Sequence, residues 1–183
     1  MGKIIDSAPV HRFSCFQSLN AEQIAAFATH LEDVRLAPGE VLFRKGDPWD
    51  SIYLLLSGQI LIKSGAPAPD DRTLATLGPS AILGEMGPLL DTPRTATAIA
   101  STESHLWRIS TEAFNKALQQ GDAWASSFLL ATAQVLGRRV MGMNEELVRL
   151  SAELRQNLPQ PQIRKAVAEI EQLRKRLMTE WTF

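Results

Sequence analysis

Two charged residues, Glu85 and Arg94, lie nine positions apart in a segment that otherwise holds small, apolar and turn-forming residues. Arginine offers a planar fork of donors that matches the oxygens of a phosphate, and it keeps its charge at any physiological pH. A carboxylate accepts hydrogen bonds from hydroxyl groups such as those of a sugar. The pair can therefore hold a ligand that combines an anion with a hydroxyl, provided that both side chains face one pocket.

The residues around the two charged side chains can fold into a compact loop. Gly84 follows an apolar run, 81–83, and lacks the Cβ that would keep a ligand away from the backbone. Residues 86–90 are long enough for one helical turn, whose free N–H groups can receive an anion. Residues 91–93 then turn the chain back, and the arginine begins a segment rich in β-branched residues. We expect this loop to bring the carboxylate and the guanidinium to one pocket.

Residues from about 34 to 110 alternate short β-forming runs with turns that contain glycine and proline. Many short strands at even spacing favour a closed antiparallel barrel or sandwich over βαβ units. The chain before them, to about residue 35, is predicted to be helical, because Asn20 and Gln23 can form a capping box. The predicted strands are 40–43, 51–56, 59–63, 73–77, 95–100 and 104–109.

Helical periodicity returns after the predicted strands. Ser110 or Thr111 can cap a helix that ends near residue 120, and a long helix is predicted at about 122–156. Two prolines must break that helix, since proline lacks an N–H donor and restricts the residue before it. A last helix follows the break. The sequence thus predicts an α+β fold: an antiparallel β-roll or jelly-roll barrel, about 34–110, flanked by N-terminal helices, a long C-terminal helix and a terminal helix.

Apolar residues in the predicted long helix recur in alternating steps of four and three, as at the contact positions of paired helices. This seam, residues 136–154, covers slightly under three heptads; it can pair with a second helix or can pack the helix on its own barrel. The last helix carries a second apolar stripe, which can serve as an output surface or can dock on the long helix. The seam consists of Leu136, Val140, Met143, Leu147, Leu150 and Leu154.

The composition excludes several function classes. The 19 basic and 20 acidic residues nearly cancel, which gives no general attraction to nucleic acid or anionic lipid. A single cysteine, Cys15, cannot form an internal disulfide and is predicted to be buried beside Phe13 and Phe16. No segment resembles a secretion signal or a membrane span, so a soluble cytoplasmic protein is expected. No arrangement of residues suggests catalysis or a metal site, and no enzyme is expected.

The residues around the charged pair resemble the phosphate-binding cassette of the cyclic nucleotide-binding domain family. This family includes the bacterial catabolite activator protein, the regulatory subunits of cAMP-dependent kinase, cGMP-dependent kinase and nucleotide-gated channels. Its pattern is roughly Phe-Gly-Glu-apolar-small-Leu, then Pro-Arg-small-Ala; here Leu83 replaces the Phe, and residues 78–81 replace a more typical Pro-Gly-Asp turn. The resemblance covers about residues 13–157. It is carried by 83–87 and 93–97, with upstream matches at 36–43, 45–47 and 52–58.

The resemblance implies a role for each cassette residue. Glu85 should bind the ribose hydroxyl and Arg94 the cyclic phosphate, and the backbone amides of 84–87 together with Thr95 should complete the phosphate site. Asn144 falls on the long helix about where the family caps the base. Two alternatives stay open, since Thr95 can be a plain strand residue and Asn144 a polar residue beside the seam. The predicted ligand-binding residues are Leu83, Gly84, Glu85, Met86, Gly87, Arg94, Thr95 and Asn144.

The resemblance further implies a sensor that binds a cyclic purine nucleotide, with cAMP favoured over cGMP, and that signals by moving the helices after the barrel. Its likeness to dimeric bacterial members also favours a homodimer formed through the seam at 136–154. Only one helix is predicted after Pro161, too little for a helix-turn-helix, so DNA binding is not expected and a protein effector is. We expect a stand-alone sensor, with residues 13–157 as the nucleotide-binding domain and residues 158–183 as a break and a helix. Two alternatives are a Crp-like transcription regulator and an interaction scaffold that binds no nucleotide.

Overall fold

The computed structural model describes residues 8–67, 70–157 and 160–179. Two short 3-10 helices at Ala8–Arg12 and Ser14–Phe16 precede the regular elements. Five α-helices and eight β-strands follow within the described ranges. They are α1 (Ala21–Ala28), β1 (Glu32–Leu36), β2 (Val41–Phe43), β3 (Ser51–Ser57), β4 (Ile60–Lys63), β5 (Thr73–Leu77), β6 (Ile82–Leu83), α2 (Met86–Leu90), β7 (Thr97–Ala100), β8 (Ser104–Ser110), α3 (Thr111–Gln120), α4 (Ala123–Asn157) and α5 (Gln160–Thr179).

The strands form two four-stranded sheets, in the orders β1-β8-β3-β6 and β2-β7-β4-β5, with every neighbouring pair antiparallel. Buried side chains from both sheets pack together into one core, so the two sheets enclose a common interior. This architecture confirms the predicted α+β fold with an antiparallel β-roll. The residues of that interior are Leu36, Tyr53, Leu55, Ile60, Leu83, Ala98, Ala100 and Leu106.

A second core lies between β3 and β8 and the helices. The side chains of β3 alternate between the two cores, so that Ile52 and Leu54 join the helical core while Tyr53 and Leu55 face the barrel interior. Aromatic residues dominate the helical core, and Trp124 contacts Phe27, Phe114 and His30 there. This core anchors α1, α3 and the start of α4 to the outer face of one sheet.

The N-terminal helix begins as its sequence predicts. Asn20 accepts a hydrogen bond from the backbone of Gln23, and the Gln23 side chain accepts one from the backbone of Asn20, each at 2.9 Å. This capping box confirms the predicted start of α1. Cys15 is buried, also as predicted, and the loss of solvent raises the pKa of its thiol to about 12. The thiol therefore stays protonated and chemically inert at neutral pH.

The prediction that the helical zone extends to about residue 35 is wrong. The helix ends at Ala28, and Glu32–Leu36 forms β1, which pairs with β8 along its whole length. Most side chains of β1 are exposed, so the strand lacks the apolar alternation that identifies strands in a sequence. Its long-range partners hold it in place, since His105 lies 2.8 Å from Asp33 and Arg108 donates to Glu32 across the strands.

The chain divides into two compact units, residues 1–132 and 133–183. Helix α4 ends at Asn157 and α5 begins at Gln160, so Pro161 occupies the first turn of a helix, where its missing N–H costs nothing. The predicted domain boundary between residues 157 and 158 stays a prediction. Across the described ranges, none of the helices combines the length and the apolar character needed to cross a bilayer.

Candidate ligand-binding site

The predicted cassette forms a turn, a short helix and a second turn. Gly84 follows β6 with a φ of +80°, a left-handed conformation that favours glycine. Glu85 occupies the N-cap position of α2, and the helix ends after one turn at Asp91, which has a φ of 49°. The predicted single helical turn at residues 86–90 is confirmed. The cassette thus returns the chain so that the side chain of Arg94 lies against Gly84.

Arg94 is the most deeply buried charged residue of this region, with 6% of its surface exposed. Its Nη2 donates a hydrogen bond to the carbonyl oxygen of Ser51 at 2.7 Å and another to Oδ1 of Asp50 at 3.2 Å. Its backbone is held as well, because its N–H donates to Asp47 and its carbonyl accepts from Gly46. The segment between β2 and β3 therefore fixes both the main chain and the side chain of Arg94.

Two aromatic rings and a glycine surround the guanidinium of Arg94. Its Cζ lies 4.4 Å from the centre of the Phe43 ring and 5.7 Å from that of Tyr53, within the range of cation–π attraction. Its Nη1 lies so close to Gly84 that a Cβ at that position would collide with it. These contacts fix the orientation of the guanidinium. That orientation requires that residue 84 has no side chain.

Two nitrogens of Arg94 are buried without a hydrogen-bond partner. Both Nε and Nη1 are shielded from solvent, and neither donates to an acceptor of the protein. Leaving a buried donor unsatisfied costs about 1–3 kcal/mol, and more for a charged group, so native structures rarely do so without a functional reason. The guanidinium is thus anchored through Nη2 while its other donors stay available to an anion that enters beside Gly84.

Asp50 joins Arg94 to a second arginine. Its Oδ2 accepts a hydrogen bond from Nη2 of Arg108 at 3.2 Å, and Nη1 of Arg108 donates to Glu32 at 2.8 Å. Partial burial acts to raise the pKa of Asp50. The nearby Ser51 side chain, the hydrogen bond from Arg108 and the charges of Arg108 and Arg94 outweigh it and hold that pKa below its usual value. The carboxylate is therefore ionised at neutral pH, between two cations.

Trp49 supports the cassette helix from the side. Its indole Nε1 donates to Oδ1 of Asp91 at 3.0 Å, at the C-terminal end of α2. Its ring packs against Gly87, where a Cβ would lie only 2.7 Å from the ring atoms. Gly87 is therefore required for close packing of α2 on Trp49, a role different from direct contact with a ligand.

The structure brings some of the predicted site residues together and places others elsewhere. Gly84 and Arg94 are in contact, and Glu85 is half-buried at the start of α2, one residue after Gly84. Thr95 is exposed in a bend before β7, which begins only at Thr97. Leu83 is buried in the barrel core, Gly87 is buried against Trp49, Met86 is half-buried, and Asn144 is a half-buried residue of the second unit.

Sequence reasoning missed Asp50 and Trp49, which position the cassette. Nothing in the local pattern separates Asp50 from its neighbour Asp47, because both lie in the same polar turn before β3. One signal was available. A tryptophan in an otherwise polar turn is unusual, since an indole of this size generally packs against another part of the fold. That signal indicates a contact but not which segment provides it.

Comparison with known proteins agrees with this architecture. The family model described as "Cyclic nucleotide-binding domain" matches residues 33–121, which include all predicted site residues except Asn144. The N-terminal domain of a transcriptional regulator from Streptomyces coelicolor A3(2) is 32% identical, with a TM-score of 0.59, and the match covers 77% of this chain and 96% of that one. The chain belongs to the cyclic nucleotide-binding domain family.

Two further relatives are bacterial regulators. A "CRP-like cAMP-activated global transcriptional regulator" of Mycobacterium tuberculosis is 29% identical over 139 residues, which span 76% of this chain and 60% of the relative. The catabolite activator protein of Thermus thermophilus is 27% identical with a TM-score of 0.64, and the match covers 76% of this chain and 64% of that one. The chain thus spans less than two thirds of the length of these two proteins.

Proposed function

We propose that this protein binds a cyclic purine nucleotide, with Arg94 on the cyclic phosphate and Glu85 on the ribose hydroxyl. One observation carries the proposal: the guanidinium of Arg94 is anchored at Nη2, while Nε and Nη1 are buried donors without an acceptor. A cyclic phosphate is a compact monoanion with two free oxygens, which can accept hydrogen bonds from the unsatisfied donors of a guanidinium. We propose that backbone amides of residues 84–87 complete the phosphate site, a role supported by the close contact between Gly84 and Nη1 of Arg94.

We propose cAMP as the preferred nucleotide. The relative from M. tuberculosis is named as cAMP-activated, and it matches 76% of this chain. Thr95 carries little weight for the base, because its side chain is exposed in the bend after Arg94. The proposed roles of Thr95 and of Asn144 therefore rest on family resemblance alone. The activity is regulatory binding, and the proposal assigns no catalytic step to the site.

Calorimetric titration with cAMP, cGMP and a cyclic dinucleotide, under the same conditions, tests both the ligand class and the base. We expect saturable binding of cAMP with one nucleotide per chain, weaker binding of cGMP and none of the dinucleotide. Adenosine 5′-monophosphate serves as a control, because its phosphate is a dianion at one end of the ribose and lacks the ring. Failure of every cyclic nucleotide to bind or to raise the melting temperature would favour a scaffold with a silent pocket.

We propose that binding is relayed to the helices through the segment that holds Arg94. The backbone N–H of Thr111, the first residue of α3, donates to the carbonyl of Asp50 at 2.8 Å, and the Asp50 side chain contacts Arg94. A ligand that moves Arg94 would therefore act on the start of α3 through one intervening residue. Such a switch needs different nucleotide affinities in two helix arrangements.

Hydrogen exchange with and without cAMP tests this relay. We expect nucleotide-dependent protection of amides in α3 and α4, in addition to the amides of the cassette itself, because the bound state favours one helix arrangement. Amides of β4 and β5, on the other sheet, provide an internal reference. Unchanged exchange across residues 111–179, with clear protection of the cassette, would show that binding is not transmitted to these helices.

We propose two kinds of partner for the sensor, a second copy of the chain and a protein effector. The prediction of a homodimer through residues 136–154 stays a prediction. Val140, Met143 and Leu150 of the seam have exposed fractions of 39%, 60% and 41% in the single chain, which leaves them accessible to a second helix. A protein effector remains the proposed receiver of the signal. A second candidate, a Crp-like transcription regulator, is favoured by the names of the S. coelicolor and M. tuberculosis relatives. Strongly salt-dependent binding to duplex DNA would support it.

A further inference from the structure

Four charged side chains of alternating sign form a row that ends at Arg94. Glu32 accepts a hydrogen bond from Nη1 of Arg108 at 2.8 Å, while Nη2 of Arg108 and Nη2 of Arg94 each donate to one oxygen of Asp50 at 3.2 Å. Strand pairing builds this row, because Arg108 of β8 lies opposite Glu32 of β1 on one side and opposite Tyr53 of β3 on the other. Asp50 immediately precedes β3 and is thereby within reach of both arginines.

The row has a consequence for any anion that binds to Arg94. A phosphate bound to the unsatisfied donors of Arg94 places a second negative charge on the guanidinium that already contacts Asp50 at Nη2. Two anions that contact one cation repel each other, and a second cation beside one of them offsets the energy of this repulsion. Arg108 is the group that meets the free oxygen of Asp50, and it lowers the pKa of that carboxylate more than Arg94 does. Arg108 therefore holds Asp50 as part of an ion pair before the phosphate enters.

We propose that Arg108 is a positioning residue for nucleotide binding, which neutralises and fixes Asp50 so that Arg94 can hold a phosphate and Asp50 together. This inference rests on the proposed function, since it concerns the affinity of the same anion site. Arg108 acts through Asp50 and touches no ligand. Its side chain is 26% exposed and that of Asp50 is 64% exposed, so salt in the solvent partly screens the effect.

The test is a double-mutant cycle between Arg108 and Asp50, read as cAMP affinity by calorimetry. Arg108→Gln is expected to weaken binding by about 10-fold, within the range of coupling between residues of one charged network. Asp50→Asn keeps an oxygen that accepts from Arg94 but removes the competing charge, and we expect affinity within about 3-fold of the wild type. In the Asp50→Asn background, Arg108→Gln is expected to change affinity by less than about 2-fold.

Two controls separate this effect from general loss of positive charge and from unfolding. Arg149→Gln removes one positive charge and a hydrogen bond to Glu146 at the surface of the second unit, and it should leave affinity unchanged. Each variant is first compared with the wild type by its melting curve and circular dichroism. The deficit of Arg108→Gln should also shrink as salt is raised from 50 to about 500 mM, because a charge effect is screened and a packing defect is not.

The outcomes are distinct. An equal loss from Arg108→Gln in both backgrounds, or no loss in the wild-type background, would overturn the inference. Intact binding in Arg108→Gln combined with lost binding in Arg94→Ala would leave the proposed function standing and remove only the role of Arg108. Failure of the wild-type protein to bind any cyclic nucleotide would instead remove the proposed function and this inference together.

Discussion

Arg94→Ala is expected to weaken cAMP binding by at least about 100-fold. The substitution removes the donors of Nε and Nη1, and a hydrogen bond to a charged group contributes about 1.5–3 kcal/mol. Two such bonds correspond to about 10²–10⁴ in the dissociation constant. Backbone amides near Gly84 remain, so weak residual binding is compatible with the proposed site. Calorimetric titration measures the effect, with cAMP raised well above the wild-type dissociation constant.

Arg94→Lys is the matched control for this prediction. Lysine keeps the positive charge but presents it as a point on a flexible chain, without a planar fork. We expect affinity between those of the wild type and Arg94→Ala, which would show that geometry contributes beyond charge. Both variants lose the stacking on Phe43 and the hydrogen bond to Ser51, so their melting curves must be compared as well. Wild-type affinity in a folded Arg94→Ala protein would refute the assignment of the anion site.

Local signals in the sequence predicted most of this fold. The capping box at Asn20, the single turn after Glu85 and the β-forming runs with glycine-containing turns depend on residues close to one another in the chain. Such features are set by backbone geometry and by the side chain itself, so they can be recognised without knowledge of the rest of the structure. The cassette belongs to this class, because its turn, helix and return lie within a dozen residues.

The missed features depend on residues far apart in the chain. Strand β1 has mostly exposed side chains and is held by β8, which lies about seventy residues later. Asp50 is likewise important only because pairing of β3 with β8 brings Arg108 beside it, while the turn at Asp47 brings Arg94. No local sequence pattern indicates that these two arginines lie beside Asp50. The buried arginine of the cassette was thus predictable, and the residues that orient it required the sheet.

Gly84→Ala is expected to cost both stability and affinity. An alanine there would adopt a φ of +80°, which costs an L-residue about 1–2 kcal/mol. Its Cβ would also collide with Nη1 of Arg94 and lie 3.1 Å from the carbonyl oxygen of Ser51. The guanidinium would have to leave its position between Ser51 and Phe43. We expect a free energy of unfolding lowered by about 2–4 kcal/mol, in line with overpacking added to backbone strain, and cAMP binding weakened by at least about 10-fold.

Gly39→Ala separates the two causes of that effect. Gly39 has a φ of +85°, almost that of Gly84, but a Cβ there would meet nothing within 4 Å. It should therefore lose about 1–2 kcal/mol of stability from strain alone and keep full affinity for cAMP. In the Arg94→Ala background the collision with the guanidinium is removed and only the contact with the carbonyl of Ser51 remains, so Gly84→Ala should cost less stability than it does with Arg94 present. If Gly84→Ala, with Arg94 present, lost no more stability and affinity than Gly39→Ala, Arg94 would be able to move without loss. The close contact between residues 84 and 94 would then not orient the guanidinium.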